Sequence, residues 1–197
     1  MHRQYRRWTT SGLWDLMLEA LADGGGSDAI QMVDSTSIRA HYRAAGARGG
    51  TQNQAFGRSR GGFTTKIHAR TNAEGLPIAL ILSPGEAHDS TAFDALMAER
   101  DADPKVMLAD KGYDSDDIRG ELRARGADPE IPTKRNRKVQ YTVNHALYAM
   151  RNKIERYFNR LKESRCIATR YNHTGESVLG FVKLAAIKIW IRFVHAA

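Results

Sequence analysis

The segment Tyr-Ala-Met-Arg-Asn-Lys-Ile-Glu-Arg-Tyr-Phe-Asn-Arg-Leu-Lys, from Tyr148 to Lys162, constrains the fold more than any other stretch of the chain. It holds no proline or glycine, and its residues favour helix. At about 100° per residue, Tyr148, Arg151, Glu155 and Lys162 fall at roughly 0°, 300°, 340° and 320°, inside one narrow sector. Leu147, Met150, Ile154, Tyr157 and Leu161 gather on the opposite side, from roughly 180° to 260°. A helix of this pattern must find a core for its apolar stripe. It then presents a tyrosine, an arginine, a glutamate and a lysine together. Pattern alone leaves that polar face open to two readings, an ordinary solvated surface or a functional one.

A chain of 197 residues can supply such a core within one full domain. The single cysteine, Cys166, excludes an internal disulfide and fits a reducing compartment. The N-terminal segment has no apolar run that would read as a secretory signal. Val178–Val194, the longest apolar segment, is interrupted by Lys183, Lys188 and Arg192, so it reads as a core helix and not a membrane span. These features place the protein in the cytoplasm. The net charge of +8 calls for a polyanionic partner, most simply nucleic acid.

Taken in order, residues 1–28 read as a helical appendage and a glycine-rich linker, and 29–197 as the main domain. Arg3, Arg6 and Arg7 beside Tyr5 and Trp8 form a basic tail that could touch nucleic acid, and Thr10 or Ser11 can cap a helix carrying Leu13, Leu16, Met17, Ala20 and Leu21. Residues 29–40 read as a strand with Asp34 at its centre. A carboxylate among Ile30, Met32, Val33 and Ile38 is costly unless it has a partner or a metal. The other reading of Asp34 is a turn cap with Ser35 and Thr36. Arg43 to Gly62 is a loop whose glycines let backbone approach a phosphate and whose arginines, Arg58 and Arg60 among them, supply forked donors. Phe63–Arg70 alternates as a half-buried strand, and Leu76–Leu82 returns as its hairpin partner.

His88 and Asp89 are possible ligands, but a helix cap at Asp89 or Ser90 is the simpler reading. Lys105–Asp110 is a short apolar strand ending in a carboxylate. A helix capped by Asp114 or Ser115 and stopped by Gly126 follows, then a short strand at Glu130–Pro132. Strand–helix–strand order belongs to an open α/β sheet, where sites gather at strand C-terminal ends, and Asp110 stands at one. Lys134, Arg135, Arg137 and Lys138 make a basic run that either grips a backbone or is plain exposed loop.

Asp34, Asp110 and the Tyr148–Lys162 segment together resemble the catalytic core of bacterial insertion-sequence transposases of the Asp-Asp-Glu (DDE) type. The signature Tyr-x2-Arg-x3-Glu-x6-Lys of one branch matches without a gap at Tyr148, Arg151, Glu155 and Lys162. Val-Asp-Ser-Thr from Val33, Gly-Arg-Ser-Arg-Gly-Gly-Phe-Thr-Thr-Lys-Ile-His from Gly57 and Ala-Asp-Lys-Gly-Tyr-Asp from Ala109 also match, so the similarity covers nearly the whole chain. The resemblance implies a ribonuclease H-like α/β fold: three antiparallel strands, then alternating helices and parallel strands, with helices on both faces. It also implies that the family's N-terminal helical DNA-binding region is largely missing here, either encoded separately and joined by frameshifting or lost by truncation.

The activity implied is metal-dependent cleavage at insertion-sequence ends followed by 3′-OH strand transfer into target DNA. Two Mg2+ ions, with Mn2+ as a substitute, would be held by Asp34 bridging both, Asp110 on one and Glu155 on the other. Arg151 and Lys162, about 6 Å and 10 Å along the helix axis from Glu155, would reach neighbouring phosphates, and Tyr148 would stack on a base or donate a hydrogen bond. The partners implied are transposon-end and target DNA and a second copy of the chain. Two other readings stay open: a nuclease without strand transfer, and a non-catalytic DNA-binding remnant or regulator.

Overall fold

The structure is a computed structural model and describes residues 2–44, 54–59 and 61–196. The elements run α1 (His2–Thr10), α2 (Leu13–Gly24), β1 (Ile30–Ala40), β2 (Gly57–Ser59), β3 (Gly62–Thr71), β4 (Pro77–Pro84), α3 (Phe93–Ala98), β5 (Val106–Ala109) and α4 (Asp116–Ala124). They continue with β6 (Asp128–Glu130), α5 (His145–Ala149), α6 (Asn152–Lys162), α7 (Arg165–Ala168), β7 (Thr169–Arg170) and α8 (Gly175–Ala196).

β1, β3 and β4 form an antiparallel run, with Asp34 opposite Ala69 and Ala69 opposite Leu80. β5 then joins β1 in parallel, pairing Val33 with Ala109, and β6 adds in parallel outside it. This is the expected ribonuclease H-like order: three antiparallel strands, then parallel strands linked through helices. The hairpin turn is fixed by Asn72, whose side chain accepts from the backbone of Glu74 and Leu76, and by Gly75 at φ +80°. A side chain at Gly75 would stand 2.7 Å from Lys153 Cβ on α6, so the turn and that helix touch closely.

Helices cover both faces. Met32, Ile38, Ile67 and Leu80 meet α2, α6 and α8 on one side, through Trp14, Leu18, Ile154, Leu161, Val182 and Trp190. Val33, Ala79, Met107 and Ala109 meet α3 and α4 on the other, through Phe93, Leu96, Ile118 and Leu122. β3 is therefore buried on both faces and not on one as its alternation suggests. Its polar outward residues turn inward to partners: Arg70 is fully buried and donates to the carbonyls of Met97 and Arg100 at 3.2 and 2.8 Å.

The basic N-terminus is a helix and not a tail. Tyr5 stacks on Phe181 with centroids 4.4 Å apart and donates its hydroxyl to the Ser177 carbonyl at 2.8 Å. Gly12, at φ +71°, turns the chain into α2, so neither Thr10 nor Ser11 caps that helix. Ser115 does cap α4, accepting from Ile118 N at 3.2 Å, and Gly126 follows its end at φ +77°. The short strand after α4 lies at Asp128–Glu130, slightly earlier than the sequence suggests.

The Tyr148–Lys162 segment departs most from expectation. It is two helices, α5 and α6, joined by a tight turn in which Arg151 N bonds to Tyr148 O, Lys153 N to Met150 O and Ile154 N to Arg151 O. Tertiary anchors hold both sides of this junction. Arg151 is tied to the sheet at Asp34, and Lys153 Nζ donates to the Ala73 carbonyl at 2.5 Å in the hairpin turn. Tertiary contact has overridden a sequence that would otherwise run on as one helix. The apolar stripe is nonetheless where it was expected, with Ile154, Tyr157 and Leu161 buried and Leu147 and Met150 packed at its edge.

Candidate active site

The parallel pairing of β1 and β5 brings the first two acids together. Val33 is level with Ala109, so Asp34 and Asp110 are the next residues on adjacent strands. Asp110 leaves its strand at once and caps a tight turn, its Oδ1 accepting from Gly112 N at 2.7 Å. A Cβ at Gly112 would lie 2.8 Å from Asp110 Oδ1, so a side chain there would push the carboxylate aside. The same point is 3.4 Å from Asp89 Oδ2, so a further carboxylate flanks the turn.

α6 supplies the third acid through Arg151. The guanidinium donates to Asp34 Oδ2 at 2.6 Å and to Glu155 Oε1 at 2.6 Å, bridging strand and helix. Arg151 thus lies between two of the acids and not at a distance from them. The rise along a helix measures backbone separation, and a long side chain folds back across it. Asp34 also accepts from Ser35 N at 2.8 Å. Glu155 remains exposed, whereas Asp34 and Arg151 are largely covered.

These contacts set the electrostatics. Burial lifts the Asp34 pKa, helped by the Asp110 carboxylate, while Arg151 and the Ser35 amide only partly oppose it. Burial pulls Arg151 down, but Asp34, Tyr148 and Glu155 outweigh it and hold its pKa above the ordinary arginine value. Burial raises Tyr148, whose ring lies 5.9 Å from the Arg151 guanidinium. Lys162, one helix end away, donates to Thr36 Oγ1 at 2.5 Å, and burial lowers its pKa. Thr36 lies two residues beyond Asp34 on the same face of β1, so Arg151 and Lys162 both reach that strand, while Tyr148 and Glu155 stand beside Arg151.

Two more side chains stand at this site: Asp89, a possible ligand for which a helix cap is the simpler reading from sequence, and Tyr113, to which sequence reasoning assigns no role. Asp89 does not cap a helix. Its Oδ1 accepts from Ser35 Oγ at 2.7 Å and Lys66 Nζ at 2.8 Å, and those bonds hold its pKa down against burial. Its neighbour His88 is exposed. Tyr113 is fully buried, and its hydroxyl has no hydrogen-bond partner among the described residues. Burial first, and then Asp89, Asp34 and Asp110, raise its pKa. The signal for Asp89 was its place after the hairpin, and for Tyr113 the Asp-Lys-Gly-Tyr run.

The other expected DNA contacts divide. Arg58 is exposed, its guanidinium 5.1 Å from the Phe63 ring, and Arg60 lies outside the described residues. Arg135 and Lys138 are exposed. Lys134 and Arg137 are turned inward: the backbone N of Lys134 and the Arg137 guanidinium both donate to the buried Asp114 carboxylate, at 2.8 and 2.7 Å. Arg137 also pairs with Asp116 and lies 5.8 Å from the Tyr141 ring.

The donor set is three hard carboxylates, the chemistry that suits a divalent cation such as Mg2+. Among the described residues, no three His, Cys, Asp or Glu side chains stand close enough to hold a metal ion as they lie. Also among them, no helix is long and apolar enough to cross a membrane.

Comparison with known proteins gives the family and the fold. A family model described as a transposase DDE domain matches residues 25–187. A Brucella ovis protein named as a transposase for insertion sequence element IS6501 is 35% identical over 131 residues, covering 66% of this chain and all of the relative. A Burkholderia cepacia protein named for the transposase of element IS402 is 37% identical over 81 residues, covering 36% of this chain. This chain spans only 38% of that relative. The fold matches that of the piggyBac transposase in a synaptic complex with hairpin DNA, with a TM-score of 0.55 at 11% identity, over 94% of this chain and 51% of the other. With the transposase DDE domain matching residues 25–187 and a relative 35% identical over its whole length, this chain belongs to the DDE transposases of bacterial insertion sequences.

Proposed function

We propose that the site cleaves phosphodiester bonds at insertion-sequence ends and joins the freed 3′-OH to target DNA. The observation that carries this reading is the meeting of Asp34 and Asp110 on adjacent parallel strands with Glu155 brought across by Arg151. Asp34, Asp110 and Glu155 are the residues that would hold Mg2+, or Mn2+ in its place, with Asp34 central to both positions. Bound there, two such ions supply charge neutralisation at the attacking and leaving oxygens of an in-line displacement.

The remaining residues position the DNA. Arg151 neutralises Asp34 and Glu155 as the chain stands, and its two-pronged donor geometry suits a phosphate equally well. Lys162 presents its ammonium beside Thr36, two residues along β1 from Asp34, as a second phosphate contact. Tyr148 closes that end of the site with its ring. Arg58, Arg135 and Lys138, all exposed, extend the basic surface along which a duplex can lie. The net charge of +8 supports DNA as the partner, and pairing of two transposon ends implies a dimer on DNA.

Glu155→Gln tests the assignment. The variant should bind end DNA as the parent does and fail to nick it in the presence of Mg2+ or Mn2+. Undiminished nicking would remove Glu155 from the chemistry. A joining assay with a pre-cut 3′-OH end separates a transposase from a simple nuclease, since only the former links that end to a second DNA.

A further inference from the structure

A second cluster of rings lies at the far end of β1, away from the carboxylates. His41 follows the strand directly and is held by its backbone, its N donating to the Arg170 carbonyl at 2.9 Å. Its ring sits between two tyrosines, with centroids 4.3 Å from Tyr42 and 4.9 Å from Tyr171, tilted by 35° and 30°. The His41 Nδ1 accepts from Arg43 N at 3.3 Å, which fixes the ring's orientation. The outer rings are open to solvent: Tyr42 is 71% exposed and Tyr171 58%. The Arg43 guanidinium lies 6.0 Å from the Tyr42 ring.

Tyr171 also lines a cavity of about 250 Å3 between α1 and the segment leading into α8. Arg6, Asn172, His173 and Thr174 share its wall, with Glu176 as its acid. Arg3 and Arg7 stand exposed on the same short helix, which carries no acidic residue.

We propose that this stack and cavity form a second DNA-binding site, one that takes unpaired bases. The inference rests on the DNA reading above and deepens it. Open tyrosine faces flanked by arginines are the chemistry of single-stranded nucleic-acid binding: rings stack on bases of any sequence, and guanidinium groups follow the backbone. A base inside a duplex has both faces covered by its neighbours, so free ring faces select unpaired ones. His41 lies against both tyrosines, and their exposure leaves ring surface free for bases. Asp34 to His41 spans seven residues of extended chain, about 23 Å at the usual strand rise. At about 3.4 Å per nucleotide, that is roughly seven steps from the carboxylates. The site is therefore placed to hold a strand that leaves the cleavage centre unpaired.

The test uses the full chain and two probes of one sequence, a single-stranded oligonucleotide carrying 5-iododeoxyuridine and the matching duplex. Tyr42→Ala with Tyr171→Ala should weaken binding of the single strand by about 10-fold or more, with duplex affinity within about twofold of the parent. Tyr42→Phe with Tyr171→Phe should retain binding, since stacking needs the ring and not the hydroxyl. Photocrosslinks from the iodinated strand should map to Tyr42 or Tyr171 in the unaltered protein, a readout that no folding defect can mimic. Equal loss for both probes, or unchanged single-strand affinity with crosslinks elsewhere, overturns the proposal; in the second case duplex binding and nicking stand as before. A parent protein that binds neither probe overturns this inference and the DNA reading together.

Discussion

Two arginine–carboxylate clusters in this molecule use the same chemistry to opposite ends. At Asp114, the carboxylate is wholly covered and Arg119, 1% exposed, is sealed beside it. Arg119 donates to Asp114 and to the Ile131 carbonyl at 2.6 Å, and it lies 4.3 Å from the Tyr141 ring, so the charge is satisfied from every side. At Asp34, Arg151 spans two acids, one of which, Glu155, is 53% exposed, and the nearby Tyr113 hydroxyl is buried without a partner among the described residues. The first cluster is closed and complete; it fixes α4 and the 133–138 loop to the sheet. The second is open on one side and rests on bonds that a cation or phosphate can replace. A satisfied network suits scaffold, and an unfinished one suits the proposed site.

Substitutions should separate the two. Asp34→Asn is expected to lower nicking by about a thousandfold, the loss of several kcal/mol of charge stabilisation, with little change in thermal stability. Nicking kinetics and a melting curve on the same sample check both halves. Asp114→Ala should do the reverse. It leaves Arg119 buried and unpaired, at a cost of about 3–5 kcal/mol measured by denaturant unfolding, with nicking per folded molecule retained. If both variants lose activity and stability alike, the distinction between the clusters fails.

Acid probes a third buried polar group. His68 is fully buried, hydrogen-bonded through Nε2 to Ser83 Oγ at 2.7 Å, and burial above all lowers its pKa from 6.5 to about 4. The unfolded chain therefore binds a proton more readily than the folded one. The neutral ring's contribution is complete above pH 6.5 and is lost as pH falls toward 4, at most about 3 kcal/mol. Unfolding free energies of the parent and His68→Gln across that range should converge toward the acid end. Parallel curves would show that this histidine does not set the acid limb.

The smallest effects concern the basic surface. Lys162→Ala, and Arg135→Ala with Lys138→Ala, should each weaken binding of end DNA and reduce the salt slope by about 1 for every phosphate no longer neutralised. Arg137→Ala should instead lower stability and leave the slope unchanged, because its guanidinium already belongs to Asp114 and Asp116. A reduced slope for Arg137→Ala would put that side chain on the DNA.

Much of this was legible in the sequence. β1, the β3–β4 hairpin, the β5 strand ending at Asp110 and the apolar stripe of α6 follow from local pattern. Asp34 in β1 stood out because a carboxylate among Met32, Val33 and Ile38 needs a reason. What stayed hidden depends on contacts between distant segments. β3 alternates as though one face met water, yet helices cover both, and the guanidinium of its Arg70 reaches carbonyls some 30 residues away. The run from Lys134 to Lys138 is basic at every position but Asn136, and only the position of Asp114 decides which of its basic members are free. Asp89 read as a helix cap because the Lys66 and Ser35 that claim it lie on other strands.

The tight turn at Met150–Arg151 gives the spacing of the signature residues a meaning beyond distance. Each residue wound in this tighter form advances by about 120° around the axis instead of 100°. The intervals between Tyr148, Arg151 and Glu155 are therefore a specification of phase: they state how far the segment is screwed round by the time it reaches the sheet. One residue added on either side of the turn would keep every side chain and leave the tyrosine and the glutamate pointing past each other.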